Sequence, residues 1–95
     1  MENSNNISKR EQLLNYVPED ILLFADGFDD AIIGLDTNSL RVVYSKQKMI
    51  ECLLKDMELD DAIEYLEFNT WGAYRNEQTP IYIDEIDVFE SYKTM

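Results

Sequence analysis

The sequence contains no histidine, a single cysteine, two prolines, three glycines and only eight basic residues. Each shortage closes off a class of chemistry. Without imidazole there is no Ser-His or Cys-His nucleophile and no ordinary zinc set. The lone Cys52 excludes an internal disulfide framework, and its position inside a predicted helix marks it as a small packed residue rather than a nucleophile. None of Gly27, Gly34 and Gly72 belongs to a GxxxxGK[ST] or GxGxxG loop, so nucleotide hydrolysis is not expected. The longest apolar runs, "ILLFA" and "AII", fall far short of the ~20 residues of a membrane span. No basic, apolar and small-residue series of a secretory signal opens the chain, and a cytoplasmic location is expected.

What the chain has instead is acid. Twenty Asp and Glu against eight Lys and Arg give a formal net charge of -12, which disfavours direct contact with nucleic acid or anionic lipid. An apolar fraction of 45% with 12% aromatics nevertheless argues for a folded core rather than an acidic tail. The expected organisation is a disordered N-terminus over 1–7, one domain over 8–90 and a short tail over 91–95.

Local signals divide that domain. Ser8 with Glu11 three residues later reads as a capping box that starts a helix, which must stop near Val17 because Pro18 follows. "PEDILLF" predicts a short second helix with Pro18 at its first position, an extended Ile21 to Phe24 being the alternative. A turn at "DGF" leads into "DDAIIGLD", read as a buried strand, and "DTNSL" turns the chain into the strand "RVVYS", making a hairpin. Ser45 is placed to cap a helix over 46–56 whose face carries Met49, Ile50, Leu53, Leu54 and Met57. A further helix over 59–70 follows, with Gly72 as a left-handed C-cap, and "TPIYID" is a third strand. The expected fold is α+β: a small, mainly antiparallel three-stranded sheet of β-β-α-α-β order, helices on one face, the last strand beside the first of the hairpin.

Candidate sites come from the carboxylates. Sixteen of the twenty acids fall in three blocks, 19–36, 56–67 and 84–90, none of which holds a base. In the second, at ~100° per residue, Leu59, Ala62, Ile63 and Leu66 form one arc while Asp60, Glu64 and Glu67 form a stripe nearly opposite. Like charges four apart cost a helix ~0.2 to 0.5 kcal/mol a pair, so the stripe is maintained against local stability. Tyr65 and Phe68 stand away from the apolar arc and need a cover, either the chain's own Phe89 and Tyr92 or a partner; the intramolecular cover is the favoured reading. Trp71 reads as a core lid at the helix end. Asp26, Asp29 and Asp30 of "DGFDD" lack the alternating ligands and closing glutamate of a calcium loop and read as a solvated turn before a metal site.

The segments "FDDAIIGLD", "VVYS", "IECLL", "DDAIEYLEFNTWGAY" and "TPIYI" resemble a widespread family of small bacteriophage and prophage proteins, over about residues 28–83. The family has no activity to carry over. The chain departs from the pattern where "ELDD" replaces the usual Ser or Thr helix cap, and where Asn76 replaces a common glycine, Asn being tolerant of a left-handed turn. The resemblance implies a virus-encoded protein acting in a bacterial host cytoplasm.

The function expected from these observations is non-enzymatic binding, without cofactor or metal, to a host or defence protein with a basic surface, and its inhibition. The residues expected to carry it are Asp60, Glu64, Glu67 and Phe68 with Asp26, Asp29 and Asp30. Mimicry of DNA is the sharper form of this reading; it requires the acidic blocks to gather on one side, since even spreading of the charge would imitate a duplex poorly. The alternatives are a carboxylate-metal enzyme built on Asp26, Asp29, Asp30 or on Asp60 and Glu64, and a ligand-sequestering or homo-oligomeric structural factor.

Overall fold

Ser8 starts the first helix as its spacing to Glu11 predicts: the Ser8 hydroxyl accepts from the Glu11 amide at 3.1 Å while the Glu11 carboxylate accepts from the Ser8 amide at 3.4 Å. The computed structural model describes residues 8–86, and the expected N-terminal and C-terminal tails, with Phe89 and Tyr92, lie outside that range. Helix α1 (Lys9–Leu14) ends three residues before Val17, whose amide still bonds the Leu13 carbonyl. The chain then departs from the helix expected over "PEDILLF". A single turn follows Pro18, and Leu22 to Ala25 run irregularly with Leu22 buried. Four consecutive apolar residues read equally well as helix or extended chain, and here Ile21 ends a turn while Leu22 to Phe24 take neither regular form, with Leu22 in the core.

Gly27 takes φ +92°, the left-handed geometry that the "DG" turn needs. One 3-10 turn (Asp29–Ala31) precedes strand β1 (Ile32–Asp36), so the strand is shorter than the apolar pattern suggests. A bulge between Ile32 and Gly34 turns Ile33 outward while Ile32 stays buried. The connecting turn is closed by the Leu40 amide on the Asp36 carbonyl at 2.6 Å, with Leu40 itself at φ 59°. The Asp36 carboxylate accepts from the Asn38 amide and the Ser39 hydroxyl, and these bonds hold its pKa below the ordinary aspartate value.

Strand β2 (Arg41–Ser45) pairs antiparallel with β1 and passes directly into α2 (Lys46–Leu53), whose Lys48 amide donates to the Ser45 hydroxyl at 3.1 Å. Helix α3 (Leu59–Leu66) starts at Glu58 with no side-chain cap, as the absent Ser or Thr implies. It does not continue as an α-helix to residue 70. It widens into one π-turn over Glu67–Trp71. Gly72 is not a left-handed cap either: its φ is -92°, and the reason for glycine is space, since a Cβ there would sit 3.2 Å from the Glu67 carbonyl oxygen. Asn76 likewise avoids the left-handed region, Leu40 being the only non-glycine residue with positive φ among those described.

Strand β3 (Ile81–Ile83) corrects the expected topology. It lies beside β2 and parallel to it, not beside β1, giving a mixed sheet in the order β1-β2-β3. The fold is α+β, with three helices and three strands among the described residues. Its parallel pair follows from the connection: α2 and α3 carry the chain back along the sheet, and a helical crossover returns a strand in the direction of the one it left. Val42 and Tyr44 alternate into the core, where they meet Met49 of α2, Leu66 of α3, and Val17, Leu22 and Phe28 from the segment before β1.

Candidate interaction surface and cavities

Two residues apart, Leu66 and Phe68 have opposite surroundings. Leu66 is 0% exposed, Phe68 is 78% exposed and Tyr65 43%. Among the described residues nothing covers Phe68, so the intramolecular cover finds no contributor within 8–86. Asp60, Glu64 and Glu67 are all exposed on the same element. Among the described residues, the outer side of α3 and its π-turn therefore presents carboxylates around a phenyl ring that none of them covers. Trp71 turns the other way: it packs on the core and its Nε1 donates to the Met49 Sδ at 3.5 Å, the lid expected at the helix end.

The "DGFDD" carboxylates are differently employed. Arg10 of α1 reaches both Asp26 and Asp29, its Nη2 lying 3.2 Å from Asp26 Oδ1 and 3.1 Å from Asp29 Oδ1, while its guanidinium carbon stands 4.3 Å over the Phe24 ring. The Lys9 Nζ donates to the Asp30 carbonyl at 2.9 Å. Asp30 also shares its surface with Lys48, Glu51, Cys52 and Lys55. This block thus anchors α1 to the start of the sheet, through Arg10 on the Asp26 and Asp29 carboxylates and Lys9 on the Asp30 backbone. Nothing in the sequence paired Arg10 with residues sixteen and nineteen positions on. Among the described residues no three acids, cysteines or histidines cluster as metal ligands. Burial pushes the Cys52 thiol up, away from the thiolate a nucleophile needs.

Two cavities flank the loop between the π-turn and β3. One, of about 250 Å³, lies between Phe24, Asp26 and Phe28 on one side, Tyr65 and Asn69 on another, and Arg75 and Tyr82. It brings the first acidic block against the α3 segment at Asp26 and Tyr65 only. The second, of about 320 Å³, is lined by Arg41, Lys46, Trp71, Tyr74, Pro80 and Tyr82 among others. Its Lys46 Nζ stands 5.0 Å over the Trp71 ring.

The wall shared by both cavities is held by Thr79. Its buried hydroxyl accepts from the Arg75 amide at 2.9 Å and the Asn76 amide at 3.0 Å, and donates to the Asn76 carbonyl at 2.7 Å. The Asn76 side chain accepts from the Gln78 amide, closing an Asx turn. The Arg41 Nε then bonds the Thr79 carbonyl at 2.6 Å, tying the loop to β2. Burial raises the Tyr82 pKa, partly offset by the positive charge of Arg75. No local pattern in the chain marks these cavities, because their bases are scattered over 41, 46 and 75; the one signal in the sequence is that the bases avoid the acidic blocks.

The arrangement defines a small α+β domain whose chemistry-bearing groups lie on its surface: an acidic and aromatic helix face, and a basic and aromatic groove. No protein family, characterised protein or solved structure matches the chain. No helix among the described residues is long and apolar enough to cross a membrane.

Proposed function

We propose that the protein is a non-enzymatic binding module that docks the outer face of α3 and its π-turn on a protein with a basic surface. The observation that carries this reading is Phe68, 78% exposed beside the exposed Asp60, Glu64 and Glu67. A large ring left in water within an acidic rim is an anchor for an apolar socket bordered by Lys and Arg, with the carboxylates steering the encounter. Asp26, Asp29 and Asp30 contribute less, because Arg10 and Lys9 already engage them or their backbone. Partner binding is therefore concentrated on one helix rather than spread over three acidic blocks. In the bacterial cytoplasm that the phage resemblance implies, the partner class of this chemistry is a host or defence protein that itself handles nucleic acid, and occupation of its basic surface would inhibit it.

The test couples capture from bacterial lysate, with elution by salt, to binding kinetics on the captured protein. Neutralising Asp60, Glu64 and Glu67 together should slow association and flatten its salt dependence, while Phe68→Ala should hasten dissociation about tenfold or more. An unchanged salt slope in the triple variant, or unchanged dissociation in Phe68→Ala, refutes docking through this face.

A further inference from the structure

The bases of this acidic chain are unevenly matched. Arg10 is held by Asp26 and Asp29, Lys48 pairs with Glu85 at 3.6 Å, and Lys9 bonds the Asp30 carbonyl. Lys55 shares its surface with Asp30 and Glu51. Arg41, Lys46 and Arg75, by contrast, have no carboxylate within ion-pair distance among the described residues, although Asp36 stands opposite Arg41 in the hairpin and feels its charge. In a molecule with twenty acids, three cations without an ion pair around one loop are a local departure from the overall charge. Two of them, Arg41 and Lys46, line the same cavity of about 320 Å³, and Arg75 lines the cavity on the other side of the shared wall.

One of these cations, Arg41, is also preorganised. Arg41 is fixed through its Nε to the Thr79 carbonyl at 2.6 Å, and Thr79 is itself locked by three hydrogen bonds of its hydroxyl. That leaves the two Nη groups of the guanidinium without a partner among the described residues. A guanidinium fork offering paired N–H groups matches the oxygens of a phosphate, and an ammonium close by adds a second positive charge suited to a dianion. The other walls are aromatic. Tyr74 is 75% exposed, while Trp71, Tyr82 and Pro80 complete an apolar surround of the kind on which a planar ring stacks. The volume of about 320 Å³ falls at the small end of ligand sites. The net charge of -12 repels a polymer of phosphates, so the fitting ligand is small and makes its contacts within the groove.

We infer that the Arg41–Lys46–Trp71–Tyr74 groove binds a small phosphate monoester bearing a planar ring, a nucleoside monophosphate in chemistry. Phe68 does not line this groove, and the inference is independent of the docking face proposed above.

Trp71 is the only tryptophan, so the protein has one indole N–H resonance, from a ring that lines the groove while its N–H donates to the buried Met49 Sδ. Titrating the isotope-labelled protein with adenosine monophosphate should move that resonance saturably, and calorimetry should give the matching affinity. Adenosine and inorganic phosphate, used separately, should each bind at least about tenfold more weakly, because each lacks one half of the recognition. Lys46→Gln should weaken the nucleotide about tenfold or more, Tyr74→Ala about three- to tenfold, and Phe68→Ala not at all. Lys46 and Tyr74 are not part of the core, so both variants should keep the wild-type amide spectrum away from the groove. Failure of the resonance to respond at millimolar nucleotide overturns the inference. So does equal binding of phosphate or adenosine alone, or a nucleotide affinity unmoved in both the Lys46 and Tyr74 variants.

Discussion

The loop between the π-turn and β3 and the outer face of α3 are neighbours in sequence and opposites in construction. Around Thr79, polar atoms of the loop are paired with one another or with Arg41, and the far end of β3 is tied in turn to α2. There the Ser45 hydroxyl donates to Glu85 Oε1 at 2.7 Å, the Glu85 amide donates to Gln47 Oε1 at 3.0 Å, and Gln47 Nε2 donates to Asp84 at 2.8 Å. A carboxylate at the N-terminus of α2 is also well placed in the helix field. On the outer face of α3, Asp60, Glu64, Glu67 and Phe68 have no such bonds among the described residues, and their mutual repulsion is unrelieved. The loop is stapled by side-chain hydrogen bonds, while the helix face leaves its carboxylates to water. Side-chain hydrogen-bond closure here is concentrated in the loop and not on the regular element.

That contrast can be broken experimentally, and the largest effect should come from α3 itself. Leu66→Ala should lower the unfolding free energy by about 2 to 5 kcal/mol, since Leu66 is fully buried between α3 and the sheet. Phe68→Ala, two residues on, should change it by less than about 0.5 kcal/mol, the value of an ordinary surface site. Chemical denaturation of the two variants decides the matter, and similar losses would mean that Phe68 is covered after all. Next in size is Thr79→Val, which keeps the shape and removes the hydroxyl. It leaves the Arg75 and Asn76 amides without their acceptor and should cost about 1 to 3 kcal/mol. A negligible loss would show that the loop is not held through Thr79.

The last effect shows only at alkaline pH. Tyr44 is buried, and burial pushes its phenol up to about 12 despite the hydrogen bond it accepts from the Ala25 amide at 2.8 Å. The folded phenol therefore keeps its proton above the unfolded value of about 10. Between these two values the unfolded chain has lost a proton that the folded one retains, so stability should fall as pH rises from about 10 to about 12. Tyr44→Phe should flatten that part of the pH profile, and an identical slope in the variant would assign the fall to other groups.

The hairpin, the Ser8 and Ser45 caps and the strand Arg41–Ser45 were legible in the sequence because each is specified by residues within five positions of one another. The side of the sheet taken by β3 was less so. Its direction was implicit in the two-helix crossover, but its neighbour depends on which strand edge stays open once α1 packs against β1. The acidic stripe was visible as helical periodicity. The Arg10 clamp and the basic groove were not, since their members meet only through the tertiary fold, at separations that no local pattern encodes.

The π-turn over Glu67–Trp71 has a consequence for how this segment tolerates changes in length. A π-turn is a helical turn holding one residue more than its α counterpart, so its sequence carries a spare position. Deleting one residue between Glu67 and Thr70 would let the helix close on regular α spacing, and because the wider turn had absorbed the extra residue, Trp71 would keep nearly the same facing toward Met49 and Lys46. The same deletion inside α3 would instead turn everything after it by about 100°. Chains of this design that differ by a single-residue gap at this turn would thus keep both the fold and the groove wall.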